Sequence, residues 1–351
     1  MSSLPWLLLA LFSASPQAPP PAERVEVERR LSLMGTEARI WVEGPDREVA
    51  LAASEVAIRE LEAAEARLST WRAESELSRL NRQPVGEPMA LSTELGSELA
   101  EAWRCIELTG GAFDPTVGAV LDAWGLRSGG RQPTPEELAA AREASGPALL
   151  QLGGGGRAVR HHPGLRIEEG AFGKGTALDR AIAALAAQGP ELSATLDLGG
   201  QVSFLRPDPG ARVAVADPRD RSRILFELEV KGGSVATTGN SERGITLGGR
   251  RLGHVFDPRT GEPAPDFGSL TVVASTGLLA DCLSTGLYVL GPDAALAWAE
   301  RHPEVGVLVV ETVDGGMNVK ASANLAGRIR RPEATTENEP RNEAGSGAPS
   351  W

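Results

Sequence analysis

The sequence predicts an α+β fold, with helices and strands in one chain. Short β-branched runs such as residues 270–274 are typical of strands, and long amphipathic stretches such as residues 48–69 are typical of helices. A glycine-rich turn that leads from a strand into a helix is expected twice, within residues 167–188 and 270–291. Together with 41 glycines and 25 prolines, these observations predict mixed secondary structure with many turns.

The first half of the chain is expected to be rich in helices. Residues 48–69 place small and aliphatic side chains on one helical face, and Ser92 is a candidate N-cap for a second long helix. The expected elements are strands 23–30 and 34–42, helices 48–69, 74–81 and 92–109, a helix that leads to Trp124, a surface helix that begins at Thr134, and a hairpin over 149–167.

The second half is expected to contain two helices among many strands. Gly291 and Pro292 form a stop signal for the helix that begins at Gly277. The expected elements are helices 176–188 and 277–289 and strands 194–198, 213–216, 225–230, 234–238, 270–274, 304–312 and 317–321.

The composition is that of an acidic globular protein. Lys and Arg total 35 against 47 Asp and Glu, which gives a formal charge of −12. Such a chain is a poor candidate for binding nucleic acid or an anionic membrane surface, and a phosphate ligand would need a local cation or backbone N–H groups. Cys105 and Cys282 lack a CxxC spacing, so we expect buried thiols rather than a zinc site.

The two ends of the chain are expected to lie outside the folded domain, which we place at residues 23–330. Residues 4–12 form an apolar run that is too short to span a bilayer and resembles the core of a secretory signal, although no Lys or Arg precedes it. A proline-rich linker follows to residue 22, and the low complexity of residues 331–351 predicts a disordered tail. The sequence therefore predicts an exported protein.

The helix predicted at residues 277–289 carries the first candidate site. Asp281 and Thr285 lie four residues apart, so their Cβ atoms would be ~5–6 Å apart on one helix face. A carboxylate and a hydroxyl in that arrangement can hold one hard divalent cation. The alternative is structural, because an acid near a helix N-terminus is favourable without any ligand.

Other candidate side chains lie in turns that contain glycine or proline, where functional residues are common. Asp114 and Asp257 precede prolines, as turn-forming acids do, and His254 can serve as a structural hydrogen-bonding partner. Lys174 can be a solvent-exposed side chain, and Trp71 can belong to the core. Taken one at a time, these residues leave both the functional and the structural interpretation open.

Eight motifs in order give the chain a family resemblance over about residues 25–325. They are MGT (34–36), STWRAESELSRLN (69–81), TGGAFDPTVG (109–118) with Trp124-Gly125, GKGTALDRA (173–181), LDLGGQV (196–202), SVATTGN (234–240), HVFDPRTG (254–261) and TVVASTGLLADCLSTGLYVLG (271–291). This set resembles the ApbE family of FAD:protein FMN transferases. The resemblance implies a T-fold-like α+β fold, with two sheet-and-helix halves packed together and the flavin site in the cleft between them.

The resemblance also implies a reaction. FAD binds with a divalent cation, normally Mg²⁺, at its diphosphate, and a threonine or serine hydroxyl of an acceptor protein attacks the phosphorus on the FMN side. AMP leaves, and FMN becomes attached through a phosphoester. The acceptors are typically flavoprotein subunits of membrane redox complexes. We therefore expect this protein in the periplasm or at the outer face of the inner membrane, where it can associate peripherally with the membrane.

Site residues are implied at the positions that match the family motifs. The positions that resemble metal ligands, all oxygen donors, are Asp281, Thr285 and the backbone carbonyl of Ala171. Lys174 could reach the phosphates, and His254 or Asp257 is the candidate base for the acceptor hydroxyl, a choice that the sequence leaves open. The positions that resemble flavin-contacting or FAD-contacting residues are Met34, Trp71, Ala112, Phe113, Asp114, Glu168, Lys174 and Phe256.

Three positions depart from the family pattern. Glu168 stands where the family usually has Asp, so the side chain expected to contact FAD is longer by one methylene group. Gln201 stands where an acidic residue often follows the glycine pair, and Asn240-Ser241 replaces the usual Asp-Tyr. We expect the departures at Gln201 and Asn240-Ser241 to affect affinity or the choice of acceptor more than the class of reaction.

Two other functions are compatible with the same residues. A metal-dependent pyrophosphatase would split FAD into FMN and AMP, with water in place of the acceptor hydroxyl. An exported flavin-binding or carrier protein would hold the flavin without chemistry, although flavin binding alone needs no cation and so does not need both Asp281 and Thr285. The products formed from FAD distinguish the three.

Overall fold

Helices and strands are interspersed along the chain. The computed structural model describes residues 24–240, 244–247, 249–314 and 316–332. The α-helices of this part are α1 (Arg47–Leu68), α2 (Glu76–Arg82), α3 (Thr93–Leu108), α4 (Gly118–Ala123), α5 (Pro135–Glu143), α6 (Gly173–Gln188), α7 (Gly277–Leu290) and α8 (Pro292–Arg301).

The strands of the same part fall into one large sheet and three small ones. They are β1 (Val25–Leu33), β2 (Thr36–Gly44), β3 (Pro88–Ala90), β4 (Leu150–Gly153), β5 (Arg157–Arg160), β6 (Ser193–Leu198), β7 (Gln201–Leu205), β8 (Arg212–Asp217), β9 (Asp220–Glu229), β10 (Gly233–Gly239), β11 (Gly244–Leu247), β12 (Arg250–Gly253), β13 (Gly268–Ala274), β14 (Gly306–Val313), β15 (Gly316–Ala321) and β16 (Ile329–Arg330).

One eight-stranded antiparallel sheet unites two halves of the fold. Its strand order is β1-β2-β6-β7-β10-β13-β14-β15. Each half contributes four strands to this sheet. In chain order, two of them come before the helices that cover that half and two come after. Strands β7 and β10 join the halves, and Val202 pairs with Val235 at that junction. The expected α+β fold of two packed sheet-and-helix halves is confirmed, and the sheet is continuous across both.

Helices cover one side of each half of the sheet. The core of the first half, between its strands and α1 and α6, contains Ile40, Val42, Ala53, Ala57, Leu61, Ala177, Leu178, Leu196 and Leu198. The core of the second half, which packs under α7, contains Val272, Ala280, Leu283, Leu287, Val307 and Val309. Burying this apolar surface stabilises the fold by roughly 25 cal/mol per Å². Helices α6 and α7 pack against each other where the halves meet.

The start of α6 differs from the sequence-based expectation. The glycine-rich segment before residue 176 is helical, so that α6 begins at Gly173. Glycine is tolerated there because α7 approaches too closely for a side chain at Gly175. No strand leads into this segment, since Arg166 forms only an isolated bridge with Val117. The expected repetition of a strand, a glycine turn and a helix is therefore wrong at its first occurrence.

The sequence-based expectations omit two elements of the main fold, β7 and α8. Gly291 and Pro292 do end α7, but proline suits the first position of a helix because that position needs no N–H partner. Helix α8 therefore begins directly at Pro292. Strand β7 follows β6 through Gly199 and Gly200, which have φ angles of +64° and +87° that favour glycine in such a tight turn.

The structured elements run from Val25 to Arg330. The signal-like segment and linker at residues 1–22 lie outside the described residues. Of the tail expected at residues 331–351, only 331 and 332 are described. Within the described residues, no helix combines the length and the apolar character that crossing a bilayer requires.

Candidate functional site

The N-termini of α6 and α7 cap each other. The backbone N–H of Gly175 in α6 donates to Oδ2 of Asp281 in α7, at 3.0 Å. In return, the backbone N–H groups of Gly277 and Leu278 in α7 donate to the two carboxylate oxygens of Asp179 in α6, the second at 2.8 Å. Each helix therefore satisfies N–H groups in the first turn of the other, which fixes the position of both helix starts.

Glycine at both helix starts permits this close approach. A Cβ atom on Gly175 would lie 2.1 Å from the carbonyl oxygen of Gly277, and one on Gly277 would lie 2.4 Å from the carbonyl oxygen of Gly175. Nε2 of Gln201 in β7 donates to the same Gly277 carbonyl at 2.8 Å. Oε1 of Gln201 is buried and has no hydrogen-bond partner among the described residues. The junction therefore holds an unpaired oxygen beside the start of α7.

Asp281 is a buried carboxylate with little compensating charge. Its side chain is 7% exposed, and Nζ of Lys174 lies 3.7 Å from its Oδ1. Burial raises the pKa of Asp281, whereas the Lys174 ammonium and the Gly175 N–H lower it in part. Because loss of solvation outweighs these partners, a further positive charge beside the carboxylate would stabilise its ionised form.

The three predicted oxygen donors are of a kind that suits a hard divalent cation. Thr285 lies one helical turn further along α7 and is half-buried, and Ala171 lies in the turn before α6. Carboxylate, hydroxyl and carbonyl oxygens are the ligands that Mg²⁺ prefers, often together with substrate phosphates. This set has one carboxylate, and the described residues contain no cluster of three His, Cys, Asp or Glu that could hold a metal. Asp281 fits a cation shared with a ligand, and the three-ligand assignment stays a prediction.

The turn after α3 places its side chains in the core. Ala112 and Phe113 are almost fully buried, and the N–H of Phe113 donates to Oγ1 of Thr109 at 3.0 Å. Oδ1 of Asp114 accepts hydrogen bonds from the N–H and the hydroxyl of Thr116, at 2.8 and 2.7 Å. Burial raises the pKa of Asp114, and these bonds lower it in part. We therefore expect this turn to contact a ligand mainly through its backbone.

Met34 lies beside the start of α6. It occupies the tight turn between β1 and β2 with a φ of +50°, and its N–H donates to Oε1 of Glu65 at 2.8 Å. A Cβ atom on Gly173 would be 3.3 Å from the Met34 methyl carbon. Residues 32–36 and Glu65 line a shallow depression here. This placement keeps Met34 available to a ligand bound at the α6 start.

Trp71 and Glu168 are joined by an arginine that the sequence motifs do not include. Trp71 is 72% exposed, and the guanidinium carbon of Arg127 lies 4.3 Å from its ring centroid. The same guanidinium pairs with Glu168. Burial raises the pKa of Glu168 to about 7, although Arg127 opposes that rise. The alternative that places Trp71 in the core is wrong, because its ring is open to solvent.

The HVFDP segment offers two candidate bases in different surroundings. Asp257 accepts hydrogen bonds from N and Nε of Arg259, both at 2.9 Å, and from Nη2 at 2.8 Å. Burial would raise the pKa of Asp257, but the hydrogen bonds and charge of Arg259 outweigh it and hold the pKa below its ordinary value. His254 is half-buried just after β12. A carboxylate held by a guanidinium accepts a proton weakly, which favours His254 as base.

Apolar packing brings the predicted segments together around the start of α7. One cluster, drawn from the turn after α3, the turn before α6 and α7 itself, includes Phe113, Phe172, Leu278 and Cys282. Another cluster joins Val255 of the HVFDP segment to Ala280 and Leu283 of α7. Phe256 points to a third cluster, where its ring lies 5.7 Å from that of Trp124. The predicted metal, phosphate and base segments therefore meet at this helix, whereas the Phe256 ring is buried away from it.

Sequence reasoning missed Asp179, Arg127 and Glu169. Asp179 lies within the GKGTALDRA motif, but no local pattern indicates that its carboxylate accepts hydrogen bonds from the first turn of α7. Arg127 lies in a polar loop without a motif, and no local pattern indicates its contacts.

Comparison with known proteins identifies one family. The model of the ApbE family matches residues 34–309. An FAD:protein FMN transferase of Vibrio cholerae is 33% identical over 275 residues, which cover 76% of this chain and 81% of the relative. One of Klebsiella pneumoniae is 31% identical over 319 residues, which cover 88% of this chain and 91% of the relative.

Solved structures share the fold along most of the chain. An ApbE protein of Thermotoga maritima has a TM-score of 0.79 and 28% sequence identity, over 88% of this chain and 100% of that one. The flavin transferase ApbE of Vibrio cholerae has a TM-score of 0.75 and 31% identity, over 87% of this chain and 99% of that one. The similarity therefore covers both halves of the sheet.

Proposed function

This chain belongs to the ApbE family, and we propose that it is an Mg²⁺-dependent FAD:protein FMN transferase. In the proposed reaction, a threonine or serine oxygen of an acceptor protein forms a bond to the FMN phosphorus of FAD. The bond between that phosphorus and the bridging oxygen breaks, and the bridging oxygen leaves with AMP. The hydroxyl proton passes to a base on the enzyme. FMN is then held to the acceptor by a phosphoester.

The observation that carries this proposal is the under-compensated Asp281 carboxylate at the junction of α6 and α7. Phosphoryl transfer requires positioned positive charge more than covalent chemistry from the protein. Asp281, Thr285 and the carbonyl of Ala171 would hold Mg²⁺, which supplies positive charge to the diphosphate when bound. Lys174, whose Nζ is 3.7 Å from Asp281 Oδ1, adds a cation at the same place. These groups support transfer better than simple flavin binding, which needs no cation.

His254 is the proposed base. It lies in the segment whose Val255 packs against α7, and the competing Asp257 is already paired with Arg259. A neutral imidazole can accept the proton of the acceptor hydroxyl near neutral pH. Met34, Trp71 and the turn at residues 112–114 are proposed to surround the flavin.

The proposed acceptor is a flavoprotein subunit of a membrane redox complex outside the cytoplasm. The apolar run at residues 4–12 supports export, because it has the length of a secretory h-region. The formal charge of −12 makes electrostatic attachment to an anionic membrane weak. We therefore propose that the enzyme meets its acceptor through protein contacts in the periplasm or at the outer face of the inner membrane.

The proposed reaction is tested by its products. The protein is incubated with FAD, Mg²⁺ and an acceptor domain that carries the candidate threonine, and the acceptor is analysed by intact-mass spectrometry while AMP is measured by chromatography. We expect the acceptor to gain the mass of one FMN moiety with one AMP released per acceptor.

Two matched controls make the result decisive. The acceptor with threonine replaced by valine should gain no mass, and chelation of Mg²⁺ should stop both AMP release and mass gain. Free FMN with AMP and an unmodified acceptor would show the pyrophosphatase instead. Bound FAD without either product would show a carrier protein. Either of these two outcomes overturns the proposal.

A further inference from the structure

Arg127 lies outside every motif that carries the family resemblance, yet it contacts two residues of the predicted FAD site. It follows α4 in a polar loop. Its guanidinium carbon lies 4.3 Å from the ring centroid of Trp71, within the ~6 Å range of cation–π interactions. Its Nη2 donates to Oε2 of Glu168 and to Oγ1 of Thr70. One side chain thus joins the turn after α1 to the turn before α6.

A second set of contacts carries this link to the helix start. Thr70 donates through its N–H and its hydroxyl to the two carboxylate oxygens of Glu169, at 3.1 and 2.6 Å. The backbone carbonyl of Glu169 accepts hydrogen bonds from the N–H groups of Phe172 and Gly173, at 3.1 and 2.7 Å. The guanidinium of Arg127 is therefore connected to the first residue of α6 through a continuous chain of hydrogen bonds.

The indole of Trp71 is both exposed and held in place. It remains 72% exposed although the guanidinium covers part of the ring, so a broad area of the ring faces solvent. An indole supported by a cation on one side and open on the other can stack against a planar ring. Trp71 adjoins the turn that leads to the proposed phosphate-binding residues, and the flavin and adenine of FAD are both planar.

The Arg127–Glu168 pair differs from an ordinary surface ion pair. Exposed pairs contribute little because water screens them. Here the Glu168 side chain is 16% exposed and that of Arg127 is 30% exposed, so much of the pair is shielded from water. Removing the guanidinium would leave a shielded carboxylate without its cation, and the turn before α6 would lose one of its anchors.

We propose that Arg127 is a positioning residue for FAD. Its guanidinium supports the Trp71 ring as a stacking platform and fixes the position of the turn before α6 relative to that ring. This inference rests on the proposed function, because it needs FAD to bind at this junction. It assigns Arg127 to ground-state binding of FAD and not to the transfer step, since the guanidinium contacts the platform and not the predicted base.

The test compares Arg127→Met with Arg131→Met. Arg131 lies in the same loop and pairs with the exposed Glu137 at 2.6 Å, so its replacement removes the same charge without touching Trp71. We expect Arg127→Met to weaken FAD binding, measured by quenching of flavin fluorescence, by about tenfold or more. At saturating FAD, kcat for AMP release should stay within about threefold of wild type. Arg131→Met should bind FAD as wild type does.

Two further variants separate positioning from general damage to the fold. Arg127→Lys keeps a cation and should restore part of the affinity, as a collapsed loop would not. Trp71→Phe should weaken FAD binding in the wild-type background and have little additional effect in the Arg127→Met background, because both changes remove the same platform. Acrylamide quenching measures the exposure of Trp71 when the signal of the protein that also carries Trp71→Phe is subtracted. This exposure should be greater in Arg127→Met than in the wild-type background.

The outcomes distinguish this inference from the proposed function. If wild-type protein does not bind FAD, both fail. If wild-type protein binds FAD and Arg127→Met binds it equally well, or Arg131→Met loses as much affinity, only the role of Arg127 is overturned. Fully additive losses for Arg127→Met and Trp71→Phe would also overturn it.

Discussion

Gly175 and Gly277 touch backbone to backbone at the junction of α6 and α7. A Cβ atom on Gly175 would lie 2.1 Å from the Gly277 carbonyl oxygen, and no side chain fits in that space. The contact brings Asp281 to the Gly175 N–H and Asp179 to the start of α7. The proposed metal position therefore depends on two residues that have no side chain, and both halves of the fold depend on the same contact.

Replacing Gly175 with alanine should destabilise the protein. The methyl group meets backbone atoms that cannot rotate away, so α6 and α7 must separate or shift along each other. Overpacking of this kind costs about 1–3 kcal/mol, and here both helices are anchored on one sheet. Urea unfolding monitored by circular dichroism should show a lower free energy of unfolding for Gly175→Ala.

Gly96→Ala is the matched control for that measurement. Gly96 also lies within a helix, α3, but a Cβ there meets no atom within 4 Å. Alanine is preferred to glycine in helices by roughly 0.5–1 kcal/mol, so this variant should be slightly more stable than wild type. Equal effects of the two substitutions would contradict the close approach of α6 and α7.

The sequence predicts the local features of this junction but not its pairing. Apolar spacing correctly predicts α7, and the position of Asp281 in its first turns follows from that helix. The partners of these helices, however, come from distant stretches: Asp179 is about a hundred residues before Gly277 in the chain. Contacts of that range depend on how the two sheet halves meet, and no single-sequence pattern encodes them.

Different reasons explain the residues and elements that were missed. Arg127 is one arginine in a polar loop, and only the fold brings it to Trp71 and Glu168. Helix α8 was not predicted because Gly291 and Pro292 are a stop signal for α7, although the same two residues also begin the next helix. Strand β7 lacks a regular alternation because most of its residues are buried in the centre of the sheet.

Replacing Asp281 should abolish Mg²⁺-dependent turnover. We expect Asp281→Ala and the closer isostere Asp281→Asn to lower AMP release from FAD by at least about 100-fold, because the predicted site loses its one carboxylate. Asp281→Asn can still accept the Gly175 N–H, so its fold should persist. AMP release is measured across a Mg²⁺ titration, with circular dichroism as the check on folding.

Asp293→Asn is the control for the loss of one carboxylate. Asp293 is on the surface at the start of α8, its side chain is 91% exposed, and its pairing with Lys320 lies outside the site. Its AMP release and Mg²⁺ dependence should equal those of wild type. Full activity of Asp281→Asn at low Mg²⁺ would mean that the cation binds elsewhere.

The choice of base predicts different consequences for His254 and Asp257. His254→Gln should lower kcat for FMN transfer by about 10²–10⁴-fold, the usual contribution of a general base. Asp257→Asn should have a much smaller effect, because Asp257 is occupied by three hydrogen bonds from Arg259 and the asparagine oxygen can keep the two that Oδ1 accepts, from N and Nε. Transfer rates are measured at saturating FAD across pH 5 to 9. A larger loss for Asp257→Asn than for His254→Gln would assign the base to the carboxylate.

Glu168 should make stability fall as the pH rises toward neutrality. Burial raises its pKa from 4.5 to about 7, with Glu169 and Asp122 adding to the rise and Arg127 opposing it. Between these two values the folded protein binds a proton that the unfolded chain releases, so raising the pH through this window removes stability. The full shift corresponds to at most about 3 kcal/mol, reduced by residual solvent exposure. Urea unfolding at pH 5 and pH 8 measures the effect.

Glu168→Gln tests the assignment because glutamine does not titrate. The drop in free energy of unfolding between pH 5 and pH 8 should be smaller in this variant than in wild type. The comparison does not depend on the absolute stability of the variant, in which Arg127 has lost its partner. Glu137→Gln should keep the wild-type drop, since the exposed Glu137 has a pKa lowered by Arg131 and is ionised throughout this range. If Glu168→Gln keeps it too, Glu168 titrates outside the range and the wild-type drop belongs to another group.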